Sequence, residues 1–370
     1  MTPVTTGTPT DSTQRHAAPA MWSLPAPLAR ALTPESPGPP VAPGPRVNPW
    51  QGAGAVPVAI PERLRSLFDG LWRSPGYHHL PDGTVTSIRQ RPVPSAGAAY
   101  PVHTHLVVGS AGLDGLDPGR YLYDHENGHL LRRVAAREPA TGWDIERARP
   151  ATAQTTLVLT VQPGRSFGRY RHRAWPLWIA DVAYAQTAVE FLITQHLKTS
   201  TGPGPLLRAL LGVPRAACAQ PWLSRGLVPE IPLAAVELPP SWTVDADRSH
   251  ALATRRSPAL SEFEQATGRR PEPRAVEVAR LSGQGWVLGA DRVETWSVPA
   301  QAPAQDIAGA VWQAHRRAAS LCYDGTLSGR WRSRPISGIA AGHGRWITHA
   351  LAMLPASGHR HTNDAQEACA

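Results

Sequence analysis

Lysine is almost missing from this chain. A single lysine, Lys198, stands among 37 basic residues, and the formal net charge is +9. An excess of that size can draw a protein to nucleic acid. Here the arginines are scattered, with no run of five or more interleaved with aromatics, so the excess reads as the codon bias of a high-GC genome. Nucleic acid is not expected as a partner. Cysteine is nearly as scarce. Cys218, Cys322 and Cys369 lie far apart without a C-x-x-C pair, which excludes a disulfide framework and a cysteine-based zinc site and leaves Cys218 as an ordinary buried thiol. No run of about 18 uncharged apolar residues occurs, so a membrane span is not expected. The first residues lack the charged start and apolar stretch of a secretory signal, and a cytoplasmic location is expected. G-x-G-x-x-G, G-x-S-x-G and Walker patterns are also missing, which removes the dinucleotide, serine-hydrolase and P-loop readings.

Proline, by contrast, is abundant. Twelve of the 39 prolines fall in the first fifty residues. Each removes a backbone donor and fixes φ, so residues 1–54 read as a flexible arm in which Trp22, Leu24 and Trp50 could dock on a neighbour. The whole chain has 370 residues, 42% of them hydrophobic, enough for one large domain or two modest ones.

Order is expected from "VAIPERLRSLFDGLWRS", where Leu64, Leu67, Phe68 and Leu71 recur at helical spacing behind a proline. "VHTHLVVG" reads as a strand, and "GRYLYDHENGHLLRRV" as a hairpin about its Asn127-Gly128 turn. "TTLVLTV" and "IPLAAVEL" are further strands. "PLWIADVAYAQTAVEFLITQHL" is apolar on most sides and predicts a buried helix. "LLRALLG" is a short helix with a glycine cap. Residues 55–240 thus form an α+β domain. Residues 241–250 look like a linker. Residues 251–370 are less regular, with a helix near "DIAGAVWQAHRRAASLCYD" and a polar tail.

One stretch of this domain, "RPVPSAGAAYP", concentrates small residues where a strand is about to begin. Gly97 between Ala96 and Ala98 lets backbone approach a flat surface closely. Ser95 and the loop amides can donate hydrogen bonds, and Arg89 and Arg91 can grip a phosphate in a two-pronged way. Together with "GLDPGRYLYDHENGHL" and "RYRHRAWPLWIADVAYAQTAVEFL", this stretch resembles the SagB-type (McbC-like) azoline dehydrogenases, FMN-dependent members of the nitroreductase superfamily. The resemblance covers about residues 60–240.

It implies an α+β, nitroreductase-like fold with a central mixed or antiparallel sheet and buried helices, and FMN held at a dimer interface. It also implies oxidation of thiazolines or oxazolines to thiazoles or oxazoles in a ribosomally made precursor peptide, beside a cyclodehydratase partner. Pro94, Ser95, Ala96, Gly97 and Ala98 would lie against the flavin, with Arg89 and Arg91 near its phosphate. Asp181 and Gln186 match further cofactor positions. Five residues apart, those two sit about 140° apart around a helix, which does not assure that both face one ligand. An aspartate in an apolar helix needs a partner, and Arg173 is expected in that role.

The family's Lys-Tyr catalytic pair is Arg169-Tyr170 here. Arginine does not give up its proton in proteins, so the proton-accepting role falls to Tyr170, with Arg169 as its electrostatic partner. That role needs a phenol pKa lowered from about 10.

The family's opening Arg-Arg-Ser-x-Arg segment is absent before residue 90. A related string, "ALATRRSPALSEF", comes later, followed by "AVEVARLSGQGWVLGADRVETWSV", similar to the strand-and-turn pattern of the first domain. Two readings of residues 251–370 stay open: a shortened, degenerate second copy, or a chance match, since Arg-Arg-Ser is common in an arginine-rich chain. On the first, Arg255 and Arg256 would reach FMN across an intrachain pseudo-dimer, the alternative to a homodimer. His103 and His105 share a strand face, but a two-His pair without a carboxylate is a weak metal site, and no metal is expected. The competing reading is a non-catalytic nitroreductase-like scaffold subunit of a heterocycle-forming complex.

Overall fold

The computed structural model describes residues 55–74, 76–79, 82–133, 152–202, 205–212, 230–265 and 270–356, with residues 31, 36, 38–42 and 44 ahead of them. Cys218, Cys369, Trp22, Leu24, Trp50 and the polar tail lie outside these residues.

After a short strand β1 (Val56–Val58), helix α1 (Glu62–Trp72) buries Leu64, Leu67, Phe68 and Leu71, the face its spacing predicts. A hairpin of β2 (Gly76–His79) and β3 (Val85–Gln90) follows, unseen in the sequence because its residues are mostly exposed and do not alternate. The main sheet is then built from β4 (Val102–Val108), β5 (Gly119–Asp124), β6 (His129–Arg132) and β7 (Thr155–Val161). A helical turn, α2 (Phe167–Tyr170), leads into the long helix α3 (Ala174–Leu192). After α3 come β8 (Lys198–Thr201), helix α4 (Pro205–Leu211) and β9 (Ile231–Leu238). The seven strands run in the order β1-β6-β5-β4-β7-β9-β8, and every pair in them is antiparallel. The β5–β6 hairpin is there, but its turn is not the two-residue Asn-Gly kind. Asp124 pairs with His129, the loop is the four residues 125–128, and of these only Gly128 has a positive φ, 65°. The Asp124 carboxylate accepts the Glu126 and Asn127 N–H groups at 2.9 and 3.2 Å.

β4 and β7 are buried along their whole length because α3 covers one face of the sheet, while Leu207 and Leu211 of α4 pack against Val107 and Val158 on the other. A strand covered on both faces loses the polar–apolar alternation of a half-exposed one.

Residues 241–250, read as a linker, hold the fully buried Trp242 and the start of helix α5 (Ala246–Thr254), capped by the Asp245 carboxylate accepting from the Arg248 N–H at 3.0 Å. Then come α6 (Leu260–Gln265), α7 (Pro273–Ser282), β10 (Arg292–Pro299), α8 (Ala304–Leu327), β11 (Trp331–Ile336), β12 (Ala341–Gly342) and β13 (Arg345–Pro355). "AVEVARLS" is thus the body of α7, closed by Gly283 at φ 68°, and not a strand; the strand begins at Arg292. β10, β13 and β11 form a second antiparallel sheet with β12 paired to β13.

The two long helices α3 and α8 lie against each other between the two sheets. One apolar cluster runs through all these layers, from Leu64 and Leu106 through Val182 and Val189 to Val311, Ala319 and Trp346. Among the described residues no helix is long and apolar enough to cross a membrane.

Candidate functional site

A cleft of about 650 Å³ opens where three segments meet: the 97–100 loop before β4, the end of β3, and the residues before α3. That volume lies within the range of about 300–1,000 Å³ typical of small-molecule and cofactor sites. Arg89, Arg91, Arg165 and Arg169 line it, against one carboxylate, Glu126. Pro40 and Val41 reach its rim, where the Val41 N–H donates to the Gly168 carbonyl at 2.8 Å.

The loop has an unusual backbone. Ser95 is extended, then Gly97, Ala98 and Tyr100 adopt φ values of 57°, 53° and 45°. Left-handed alanine and tyrosine are costly and cluster at functional sites. The Ala98 N–H donates to Ser95 O and the Ala99 N–H to Ala96 O, closing a tight turn. From α3 below, Asp181 accepts the Ala96 N–H at 2.9 Å through Oδ1 and the Ser95 hydroxyl at 3.2 Å through Oδ2, and Ser95 Oγ in turn accepts the Tyr100 N–H at 2.9 Å. The partners of Asp181 are therefore loop donors, where Arg173 was expected. The Ser95 hydroxyl, expected to serve a flavin, donates to Asp181 instead. Asp181 is 4% exposed. Burial pushes its carboxyl up, the two loop bonds pull it back, and the result is about 7.

Gly97 faces Tyr170. A β-carbon built on Gly97 would collide with the Tyr170 hydroxyl and stand 3.2 Å from Arg169 Nη1. The Arg169 guanidinium lies 5.3 Å from the Tyr170 ring centroid. Residues 169–170 and the small-residue loop are thus brought together although Gly97 and Tyr170 stand 73 positions apart in the chain. The phenol's pKa departs from what a resting base needs. Burial pushes it up, Asp181 adds to this, and Arg169 offsets only part. At neutral pH Tyr170 is a protonated donor.

Arg91 is buried, with Nη1 2.9 Å from His125 Nδ1, Nη2 3.5 Å from Glu126 Oε1 and its guanidinium 4.8 Å from the Tyr100 ring centroid. Arg89 stays on the rim, 3.7 Å from Glu126 and over Tyr77. Pro94 and Ala96 are half-buried within the loop.

Three expected site residues stand elsewhere. Buried Gln186 donates to Glu190 Oε1 at 3.0 Å, and Glu190 pairs with Arg316 of α8 at 2.5 Å, so Gln186 is turned toward α8. Arg255 is buried behind the loop, its Nε donating to Pro92 O at 3.0 Å and its Nη1 to Ser257 Oγ at 3.2 Å. Arg256 is exposed and bonds the carbonyls of Ala253 and Arg255. Arg255 does cross from the second half to the first, but it braces the loop's base and does not line the cleft.

Sequence reasoning missed Arg165, Tyr100, His125 and Glu126. Arg165 had a usable signal in "GRSFGRY", five residues before Tyr170. It also missed Glu230, the carboxylate that joins His103 and His105: Glu230 Oε1 lies 2.7 Å from His105 Nε2 and 3.3 Å from His103 Nδ1, and accepts from Thr160 Oγ1. Burial alone would push this carboxyl up, but charge and hydrogen bonds from the two histidines outweigh it and hold the group well below the usual carboxylate range. Among the described residues no group of three or more His, Cys, Asp or Glu side chains is arranged to hold a metal ion.

No family model and no curated protein matches the chain. Among solved structures it is similar to a protein of Anabaena variabilis provisionally assigned as a nitroreductase, with TM-score 0.52, 14% identity, and 79% of this chain and 87% of that one covered. An E. coli microcin synthetase complex, McbBCD with truncated pro-MccB17 bound, aligns at TM-score 0.29 and 18% identity over 48% of this chain and 61% of that one, a likeness too slight to build on. The fold is α+β and nitroreductase-like. Because 79% of the chain exceeds the stretch 55–240, the likeness extends beyond the first domain read in the sequence.

Proposed function

We propose that the cleft holds FMN and that the protein is an FMN-dependent oxidoreductase of the azoline dehydrogenase type, acting on thiazoline or oxazoline rings in a ribosomally made peptide beside a cyclodehydratase. The observation that carries this is the left-handed, glycine-centred loop facing Tyr170 across an arginine-lined cleft. The residues fit the group. Gly97 puts no side chain of its own in the way of a planar ring, and four arginines against one carboxylate suit a phosphate.

Bound FMN would supply hydride acceptance. The chain's own residues do the rest. The arginines orient an anion, and Arg91 is held by His125 and Glu126. Tyr170 presents a hydroxyl beside Gly97. Its resting proton makes it a donor that can fix a ring heteroatom; it becomes an acceptor only after losing that proton, which Arg169 favours and burial opposes. The packing of α3 on α8 and the reach of Arg255 to Pro92 support an intrachain pseudo-dimer over a homodimer.

The competing reading, a non-catalytic scaffold, is favoured by one feature. The Tyr170 hydroxyl occupies the space over Gly97, so a flat guest has to displace it.

Purified protein incubated with FMN decides between the two. A yellow complex with quenched flavin fluorescence is the expected result; a protein that FMN cannot reconstitute sinks the enzyme reading. In the loaded enzyme, Tyr170→Phe is expected to lower azole formation by about 10²-fold, the usual worth of a positioned proton-transfer group. Unchanged turnover would remove Tyr170 from the chemistry.

A further inference from the structure

Asp181 is a buried carboxylate inside an apolar helix, and its position is explained by no contact with the cleft. Its two oxygens hold the Ala96 N–H and the Ser95 hydroxyl, while Ser95 Oγ holds the Tyr100 N–H. These bonds clamp both ends of the strained turn that faces Tyr170. A serine oxygen has one proton to donate and two lone pairs to accept with. With Asp181 ionised, that proton is committed to Oδ2. With Asp181 protonated at Oδ2, the direction reverses: the acid donates to Ser95, Oδ1 keeps the Ala96 N–H, the Tyr100 N–H keeps its acceptor, and the Ser95 proton is released.

We propose that Asp181 is a protonation-dependent latch on the 95–100 loop, a positioning residue that withholds the Ser95 hydroxyl proton as a carboxylate and frees it for a guest as a carboxylic acid. Burial opposes the charge on Asp181 and brings its titration to about 7, against the pull of the Ala96 and Ser95 bonds, so acidification through neutrality opens the latch. The titratable groups that feel Asp181 are Tyr100 of the loop, Tyr170 before α3 and Tyr184 on α3 itself, all phenols pushed upward by burial and neutral in this range; Arg255 acts on Tyr100 and Tyr184 from the second half. None of the three tyrosines changes charge near neutrality, so the switch belongs to the carboxyl.

The latch itself does not depend on flavin; the use of the freed proton rests on the FMN reading. Two measurements on the full chain separate them. Infrared difference spectra across pH should show the carbonyl stretch of a protonated carboxylic acid growing in as pH falls through about 7. Asp181→Asn, which keeps an acceptor for Ala96 and an amide donor for Ser95, should lose that band. Ser95→Ala should keep the band and move its midpoint to higher pH, because a bond that favours the carboxylate is gone; this arm stands even if the asparagine variant fails to fold. No such band in the wild type, or the same band in Asp181→Asn, overturns the latch. In FMN titrations the wild type should bind about fivefold more tightly at pH 6 than at pH 8, the worth of about one hydrogen bond, and Ser95→Ala should show no such difference. FMN affinity equal at the two pH values in the wild type overturns release of the proton to the guest. FMN that binds at neither pH overturns the cofactor reading, while the infrared band still decides the latch.

Discussion

Gly97→Ala should lose FMN binding by at least tenfold and lower unfolding stability by about 1–3 kcal/mol. Two costs add. A β-carbon at φ 57° pushes against its own carbonyl, about 1–2 kcal/mol for an L-residue in the left-handed region. The same carbon collides with the Tyr170 hydroxyl and crowds Arg169 Nη1, so one side of the cleft has to move. Removing the hydroxyl relieves only the second cost. In a double-mutant cycle, therefore, Gly97→Ala should cost less in a Tyr170→Phe background than in the wild type, with a coupling of about 1 kcal/mol, measured by urea unfolding. Additive effects would mean that the loop and Tyr170 are not in contact, and the cleft as described would be wrong.

Glu230→Ala, just before β9, should destabilise the fold by about 3–5 kcal/mol. Glu230 joins His105, His103 and Thr160 in a pocket closed to water, and removing it leaves three buried polar groups without their common acceptor. The pH dependence has a definite sign. The Glu230 carboxyl is held below its ordinary value in the folded protein, so its contribution is present above the normal carboxylate range and disappears as pH falls toward the folded-state pKa. The wild type should lose stability on acidification below about pH 4.5, and Glu230→Ala should lose less over the same interval. Thermal melts of both proteins at pH 3 to 7 test this. Parallel melting curves would show that Glu230 is not ionised in the fold.

Wherever a periodicity or a turn signal was strong, the sequence reading and the structure coincide. Leu64, Leu67, Phe68 and Leu71 repeat at helical spacing and become the buried face of α1; the turn signal at Asn127-Gly128 marks a hairpin, although its loop takes four residues and not two; the all-round apolar run of α3 admits nothing but burial. These are local effects, set by residues within a turn or two of each other. The segment "AVEVARLS" shows the limit. Its valines suit a strand, yet Ala275 and Val278 turn inward at helical spacing because α7 packs on the 285–289 turn and the second sheet.

The candidate site was legible as a composition and not as an arrangement. Small residues at 94–98 and the Arg169-Tyr170 pair could be singled out from sequence, because glycine and a paired phenol carry chemical meaning by themselves. That they touch could not, since about 70 residues of chain separate them and only the entry of α3 beneath β4 closes the gap. Burial was equally invisible. Three neighbouring arginines suggested a phenol easily ionised, but desolvation of Tyr170 prevails over the one guanidinium that reaches it.

The sequence by itself thus determined the α+β composition, helices α1, α3 and α4, strands β4 to β7 and β9, and the residue types available for a flat, anionic guest, but not β1, β8 or the β2–β3 hairpin. Tertiary structure decided which of them meet: Asp181 with Ser95 in place of Arg173, Arg255 behind the loop and not in the cleft, Glu230 with His103 and His105 of a strand far upstream. The reason is physical. Helix and turn preferences are settled by neighbours along the chain, whereas the partner of a buried charge is whichever dipole the packed layers bring within about 3 Å, and that is a property of the whole fold.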